Sequence, residues 1–152
     1  MTLENLLAIH KLQRFEASAV GVERLLAAAT RNLADAGLAA LSAENRFDAA
    51  YKAIMQCAMI GLWANGYRTS TSQPGHHQTA LQVLPKSLGL ESDVVIVLDA
   101  LRKQRNLNDY EGDPVSDSAV AECCRQAAFL LEHTREWLRR NRPNLLANEA
   151  QS

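Results

Sequence analysis

The chain lacks most of what announces a function outright. Its 152 residues set 16 basic side chains against 17 acidic ones. That balance exerts no bulk pull on nucleic acid or an anionic membrane, so polyanion binding would need a local patch. It holds three cysteines, an odd number, and two of them, Cys123 and Cys124, are adjacent in a helical segment. With no His or Cys at metal-ligand spacing beside them, neither a disulfide framework nor a zinc site is expected, and buried free thiols are the plain reading. No stretch approaches the roughly 18 uncharged apolar residues of a membrane span. Met1 to Phe15 carries Glu4, His10, Lys11 and Arg14 where a signal peptide has a basic start and an unbroken apolar run. The expected compartment is therefore a reducing cytoplasm, with no membrane partner. No strand precedes a glycine-rich turn, and no His-x-x-x-His pair or Gly-x-Ser-x-Gly elbow occurs. Phosphate-loop, dinucleotide, zincin and hydrolase chemistries drop out, and neither a metal nor a cofactor is expected.

What is present is helical. The hydrophobic fraction is 47% and is dominated by Ala and Leu rather than Val and Ile, which favours helix over sheet. A chain of this length makes one domain and buries roughly two-thirds of its unfolded surface. Thr2 to Lys11 is a candidate short helix. Phe15, Ala19, Val22, Leu26, Ala29 and Leu33 fall at alternating spacings of four and three. That is the seam of a helix packed nearly antiparallel to a neighbour, with Gly37 placed to end it. Ser42 caps a second long helix with Glu44 in its first turn; Phe47, Ala50, Tyr51, Ile54, Ala58 and Gly61 form its inner stripe, and Gly66 closes it. Tyr67 to Gly75 reads as a polar loop, either a plain connector or the rim of a site. A short helix opens at His76 and is limited by Pro85.

Ser92 is placed to cap a helix over Asp93–Tyr110 that begins apolar and ends charged. The Glu111-Gly-Asp-Pro114 break follows. Ser116 then starts a last long helix to about Arg140, with Val120, Cys124, Ala127, Leu131, Thr134 and Leu138 inward. The expected architecture is all-α, an antiparallel helical bundle of four main helices plus one or two short ones. It forms a single domain over 1–143, followed by a flexible polar tail over 144–152.

Three polar features carry candidate chemistry. Val94, Leu98, Leu101 and Arg105 share one side of a helical wheel, so a guanidinium that cannot shed its charge continues a core stripe. Two readings of Arg105 stand: it pairs with an inward carboxylate such as Asp48 or Asp99, or it binds a phosphate alongside Arg102, Asn106, Asp109 and Tyr110. His76 and His77 point about 100° apart on a helix, a poor chelate but a serviceable pair of acid–base groups. Arg135, Arg139, Arg140 and Arg142 surround Trp137 near a helix end. They either complement the helix dipole or offer a nucleic-acid backbone a landing strip.

The run Arg105-Asn-Leu-Asn-Asp-Tyr110 closes a helix inside an all-helical bundle of this size, and in this it resembles the HEPN superfamily. So does the layout of long antiparallel helices, including Arg46-Phe-Asp-Ala-Ala-Tyr51 leading into Gly66. The likeness spans Phe15 to Arg140. In that family an Arg, commonly followed by Asn, precedes a His by a few residues, and the paired motifs of a dimer line one cleft. Active members cleave RNA there without a metal, the His and Arg assisting attack by the ribose 2′-hydroxyl. Others bind nucleotides or partner proteins, often beside small nucleotidyltransferases in toxin–antitoxin-type operons. In this chain Arg105 and Asn106 match, while Tyr110 stands where the His would be. Tyrosine, with a solution pKa of about 10, is a poor general base at neutral pH but donates hydrogen bonds and stacks on bases.

The resemblance implies a homodimer binding RNA or a nucleotide through Arg102, Arg105, Asn106, Asp109, Tyr110, His76 and His77. It also implies a neighbour-encoded nucleotidyltransferase or a toxin or antitoxin partner. The alternatives are a metal-independent endoribonuclease, catalysed by Arg105 with Tyr110 or a loop histidine, and a pure protein–protein interaction module. On a regular helix Tyr110 lies about 140° around from Arg105. The two then share a ligand only if the helix unwinds or a second subunit completes the site.

Overall fold

A computed structural model describes residues 2–146. The protein is all-α apart from one two-stranded ribbon. In chain order the elements are α1 (Leu3–Ala8), β1 (Leu12–Arg14), α2 (Ala19–Ala36), α3 (Ala43–Ala64), β2 (Tyr67–Thr69), α4 (His76–Gln82), α5 (Leu84–Ser87), α6 (Ser92–Glu111) and α7 (Asp117–Asn141), ending in a 3-10 turn over Pro143–Leu146. Short hydroxyl side chains start most of the helices. The hydroxyls of Thr2, Ser18, Ser42 and Ser116 accept from the backbone N–H three residues on, at 3.0–3.1 Å, and so satisfy donors that the first turn leaves without a partner.

The four long helices alternate in direction. Arg46 Nε donates to Ala36 O at 2.8 Å beside the α2–α3 connection, and further along Asn32 donates to Gln56 at 2.9 Å, so the two helices run antiparallel. The chain passes Gly61 at Leu88, and α6 then runs back until Arg105 lies over Tyr51. Helix α7 travels with α3: Cys123 Sγ meets Phe47 O at one end, and Arg142 Nε donates to Ala64 O at 3.0 Å at the other.

Helix α3 is the hub. It packs on α2, α7, α6, α5, α4 and β2, and Ala53, Ile54, Met55, Cys57, Ala58, Ile60 and Leu62 are all buried. A helix apolar all round sits inside its domain, and the single stripe expected from the sequence is only the strongest of several. Gly61 is what allows the chain to close on it: a Cβ there would stand 2.8 Å from Leu88 Cγ and 3.0 Å from Ser87 Oγ.

The structure departs from expectation at several element ends. The first helix stops at Ala8, and the seam helix begins at Ala19, because Ser18 caps it and Phe15 belongs to the segment after β1. Tyr67–Thr69 is not loop but strand, pairing antiparallel with β1 so that Leu12 faces Thr69 and Arg14 faces Tyr67. Backbone groups on each side of α2 and α3 thus satisfy one another, a pairing across more than fifty residues that local pattern does not announce. Pro85 opens a helical turn, α5, where its missing N–H loses nothing. Ser92 is the first helical residue, and Glu91 precedes it without a side-chain cap.

The short helices among the described residues are α1, α4, α5 and the 3-10 turn, more than the one or two expected. On α7 it is Cys123 that is fully buried, with Cys124 at the margin. Of the expected tail, Asn144–Leu146 lies in the 3-10 turn, with Leu145 and Leu146 buried, while 147–152 lies outside the described residues. Among the described residues no helix is long and apolar enough to cross a membrane.

Candidate functional site

Helix α6 supplies most of the site. It runs unbroken from Ser92 to Glu111 and ends on Gly112, whose φ of 70° suits glycine. Its inner side carries Leu98 and Leu101 into the core, and Arg105 follows on the same stripe with its side chain 27% exposed. Opposite, Gly75 turns the chain at φ 77° into α4 and delivers His76, His77 and Gln78. These elements enclose a cleft of about 280 Å³ lined by His76, His77, Gln78, Arg102, Arg105, Asn106 and Tyr110. Six of the seven residues picked out from the sequence are brought together here. The seventh, Asp109, sits beside the cleft as a partner of Arg105.

The two arginines differ in how far they are satisfied. Arg102 Nε donates to Asp99 at 2.8 Å, and Lys103 approaches the same carboxylate at 3.5 Å. Burial opposes ionisation of Asp99, but the hydrogen bond and charge of Arg102, helped by Lys103, outweigh it and hold the carboxyl below its usual range. Arg105 is less committed. Its Nε is 2.9 Å from Asp109 Oδ2 and 3.9 Å from Asp48 Oδ1, yet the nearer oxygen lies off the N–H direction and Nε–H has no hydrogen-bond acceptor among the described residues. Proximity gives Coulomb attraction, but without alignment the directional part of the bond is lost. The guanidinium rests instead on the ring of Tyr51, 5.4 Å from its centroid.

Tyr51 is the residue sequence reasoning read only as core. Its ring is buried under Arg105 and its hydroxyl lies 3.3 Å from His77 Nδ1. Burial, against the opposing charges of Arg105 and Arg102, pushes its pKa up to about 12. The phenol therefore keeps its proton, and its hydroxyl and the His77 ring share one hydrogen bond that orients the imidazole. Burial first, then the charges of His76, Arg105 and Arg102, lower the pKa of His77 and favour its neutral form. His76 packs edge-on against His77 at 4.7 Å between centroids. The cleft thus presents the guanidinium groups of Arg102 and Arg105, the imidazole rings of His76 and His77, and the Asn106 amide. Tyr110, 81% exposed, stands on its rim. A second-position tyrosine one turn into an apolar stripe carries no sequence signal for this role; only the crossing of α6 over α3 reveals it.

The other sequence candidates resolve differently. Arg139 and Arg140 pair with Glu136 at 3.2 and 2.9 Å, Arg135 donates to Thr30 at 2.9 Å, and Arg142 caps the end of α3 while lying 5.7 Å over Trp137. Arg135, Arg139 and Arg140 are thus spent on local partners, and Arg142 is engaged through part of its guanidinium. Neither inward carboxylate takes a close hydrogen bond from Arg105, since Asp99 serves Arg102 and Asp48 also pairs with Lys52 at 3.6 Å. Among the described residues no three His, Cys, Asp or Glu side chains group to hold a metal ion. Cys57 and Cys123 are buried free thiols pushed up to about 12 by desolvation.

Comparisons of the chain with protein-family models, with curated proteins and with solved structures each return no match.

Proposed function

We propose that this protein is a HEPN-type module of the cytoplasm, acting as a homodimer that binds RNA or a nucleotide through the α4–α6 cleft. Its partner in the cell is a neighbour-encoded nucleotidyltransferase or the other half of a toxin–antitoxin-type pair. The observation that carries the reading is Arg105: three-quarters buried, stacked on Tyr51, and left with a buried N–H that no acceptor among the described residues satisfies. Buried donors without partners cost folding free energy, and a bound phosphate oxygen is the acceptor such a guanidinium suits best.

The dimer reading draws on the outer face of α6. Ile96, 71% exposed, is followed by Ala100, Lys103, Leu107 and Tyr110 at spacings of four, three, four and three. That is the seam a partner helix covers, and it would bring a second cleft against the first.

Incubating the pure protein with labelled single-stranded RNA in EDTA tests the proposal. The expected result is a retarded, intact RNA whose shift disappears in Arg105→Ala. Cleavage that Arg105→Ala abolishes would replace binding by metal-independent endoribonuclease action. No shift for any RNA or nucleotide, with co-purification of a neighbour-encoded protein, would make it an interaction module instead.

A further inference from the structure

At the far end of α3 lies a second, larger opening of about 420 Å³, within the range of about 300–1,000 Å³ typical of small-ligand sites. It forms where the ribbon meets the helix end. Phe15 N–H donates to Gly66 O at 2.9 Å, and Gly66 holds φ at 90°, so the segment after β1 is fastened against the last turn of α3. This sets the Phe15 ring 4.8 Å from that of Trp63, tilted by 45°. Arg68, held by Gln13 at 3.1 Å, lies 5.3 Å over Phe15.

Two further cations line the opening. The Arg14 side chain has no hydrogen-bond or ion-pair partner among the described residues. Arg142 is fixed through Nε on Ala64 O and through Nη1 on Asn141 O at 2.7 Å, with no acceptor for Nη2 among the described residues. One acidic side chain, Glu16, shares the rim.

We infer that this groove is a binding site for a small planar aromatic anion of the mononucleotide kind, its ring against Phe15 and Trp63 and its phosphate between Arg14 and Arg142. Aromatic rings in an opening of this size offer a stacking surface, and guanidinium groups on separate elements suit a dianion. One of the two is held rigid by its backbone contacts, which lowers the entropy lost on binding. Glu16 opposes the phosphate and limits affinity. The site shares no residue with the α4–α6 cleft and does not depend on what that cleft binds.

The chain's two tryptophans allow a direct test. Trp137→Phe leaves Trp63 as the reporter, and the full-length variant is titrated with AMP, adenosine, inorganic phosphate and benzoate. Saturable quenching by AMP is expected, with the other three at least tenfold weaker. Arg14→Ala, at an exposed position, is expected to weaken AMP about five- to tenfold through loss of one charge-assisted contact. Glu16→Gln should tighten it about twofold. Absence of saturable quenching at millimolar AMP overturns the inference. So does quenching that ignores Arg14→Ala and Glu16→Gln but is lost with Arg105→Ala.

Discussion

Replacing Arg105 with alanine separates a structural arginine from a binding one, because the two roles predict different magnitudes. In the folded protein the guanidinium has ionic contacts with Asp109 and Asp48, both partly exposed and neither supported by an aligned Nε–H bond. Such pairs contribute about 0–1 kcal/mol. Its stacking on Tyr51 adds about 0.5–1 kcal/mol. The truncation should therefore destabilise the fold by about 1–2 kcal/mol, small against the roughly 5–15 kcal/mol that holds a domain together. Binding stands to lose more. Hydrogen bonds between a guanidinium and a phosphate are worth about 1.5–3 kcal/mol each, so even one lost contact raises Kd by about tenfold to a hundredfold. The carboxylates left behind push in the same direction. Urea unfolding followed by circular dichroism gives the first quantity, and anisotropy of a fluorescent oligonucleotide gives the second. A stability loss above about 4 kcal/mol, with unaltered affinity per folded molecule, would show Arg105 to be a structural ion-pair residue and refute the reasoning.

The lowered pKa of His77 sets a pH dependence. Below about pH 6.5 the unfolded chain takes up that proton first, so ligand-free stability should fall as pH drops through the folded pKa, and His77→Gln should flatten the slope in urea midpoints between pH 5 and 8. Anion binding has the opposite sign: phosphate favours the imidazolium, so affinity should rise as pH falls over the same interval, with proton uptake visible in buffers of different ionisation enthalpy. Gly61→Ala forces a methyl group against Leu88 and Ser87 and should cost about 1–3 kcal/mol, read as a lower thermal midpoint. Native protein should show slow thiol labelling confined to Cys124, with Cys57 and Cys123 reacting only after denaturation. Rapid modification of either buried thiol would contradict the packing of α3 on α7.

How much of this was legible beforehand depends on whether the signal is local. The starts of α2, α3 and α7 are written in Ser18, Ser42 and Ser116, each followed by a run with helical period, and the break after α6 is written in Gly112 and Pro114. Arg105 stood out because charge on an apolar stripe is rare. What escaped depends on distant residues. The Tyr67–Thr69 strand exists only because Leu12–Arg14 arrives beside it, and the burial of Leu145 and Leu146 requires α2 and α7 in place. Tyr51 looked like one aromatic among several on the inner face of α3, and its partnership with His77 comes from a helix crossing that no spacing encodes. Its spacing from Arg105, fifty-four residues along the chain, hides the contact completely.

Within one protomer helix α6 is held along one side only, by α3 and the two short helices before it, and its outer side is left to the dimer partner proposed above. Its amides should accordingly exchange with deuterium well ahead of those in α3, and the turns around Arg105 to Tyr110 should open without the bundle unfolding. Ligand in the cleft bridges α4 and α6, so occupancy would be registered as slowed exchange along this one helix. Its last two turns would then act as a latch, loosest when empty and secured by what they bind.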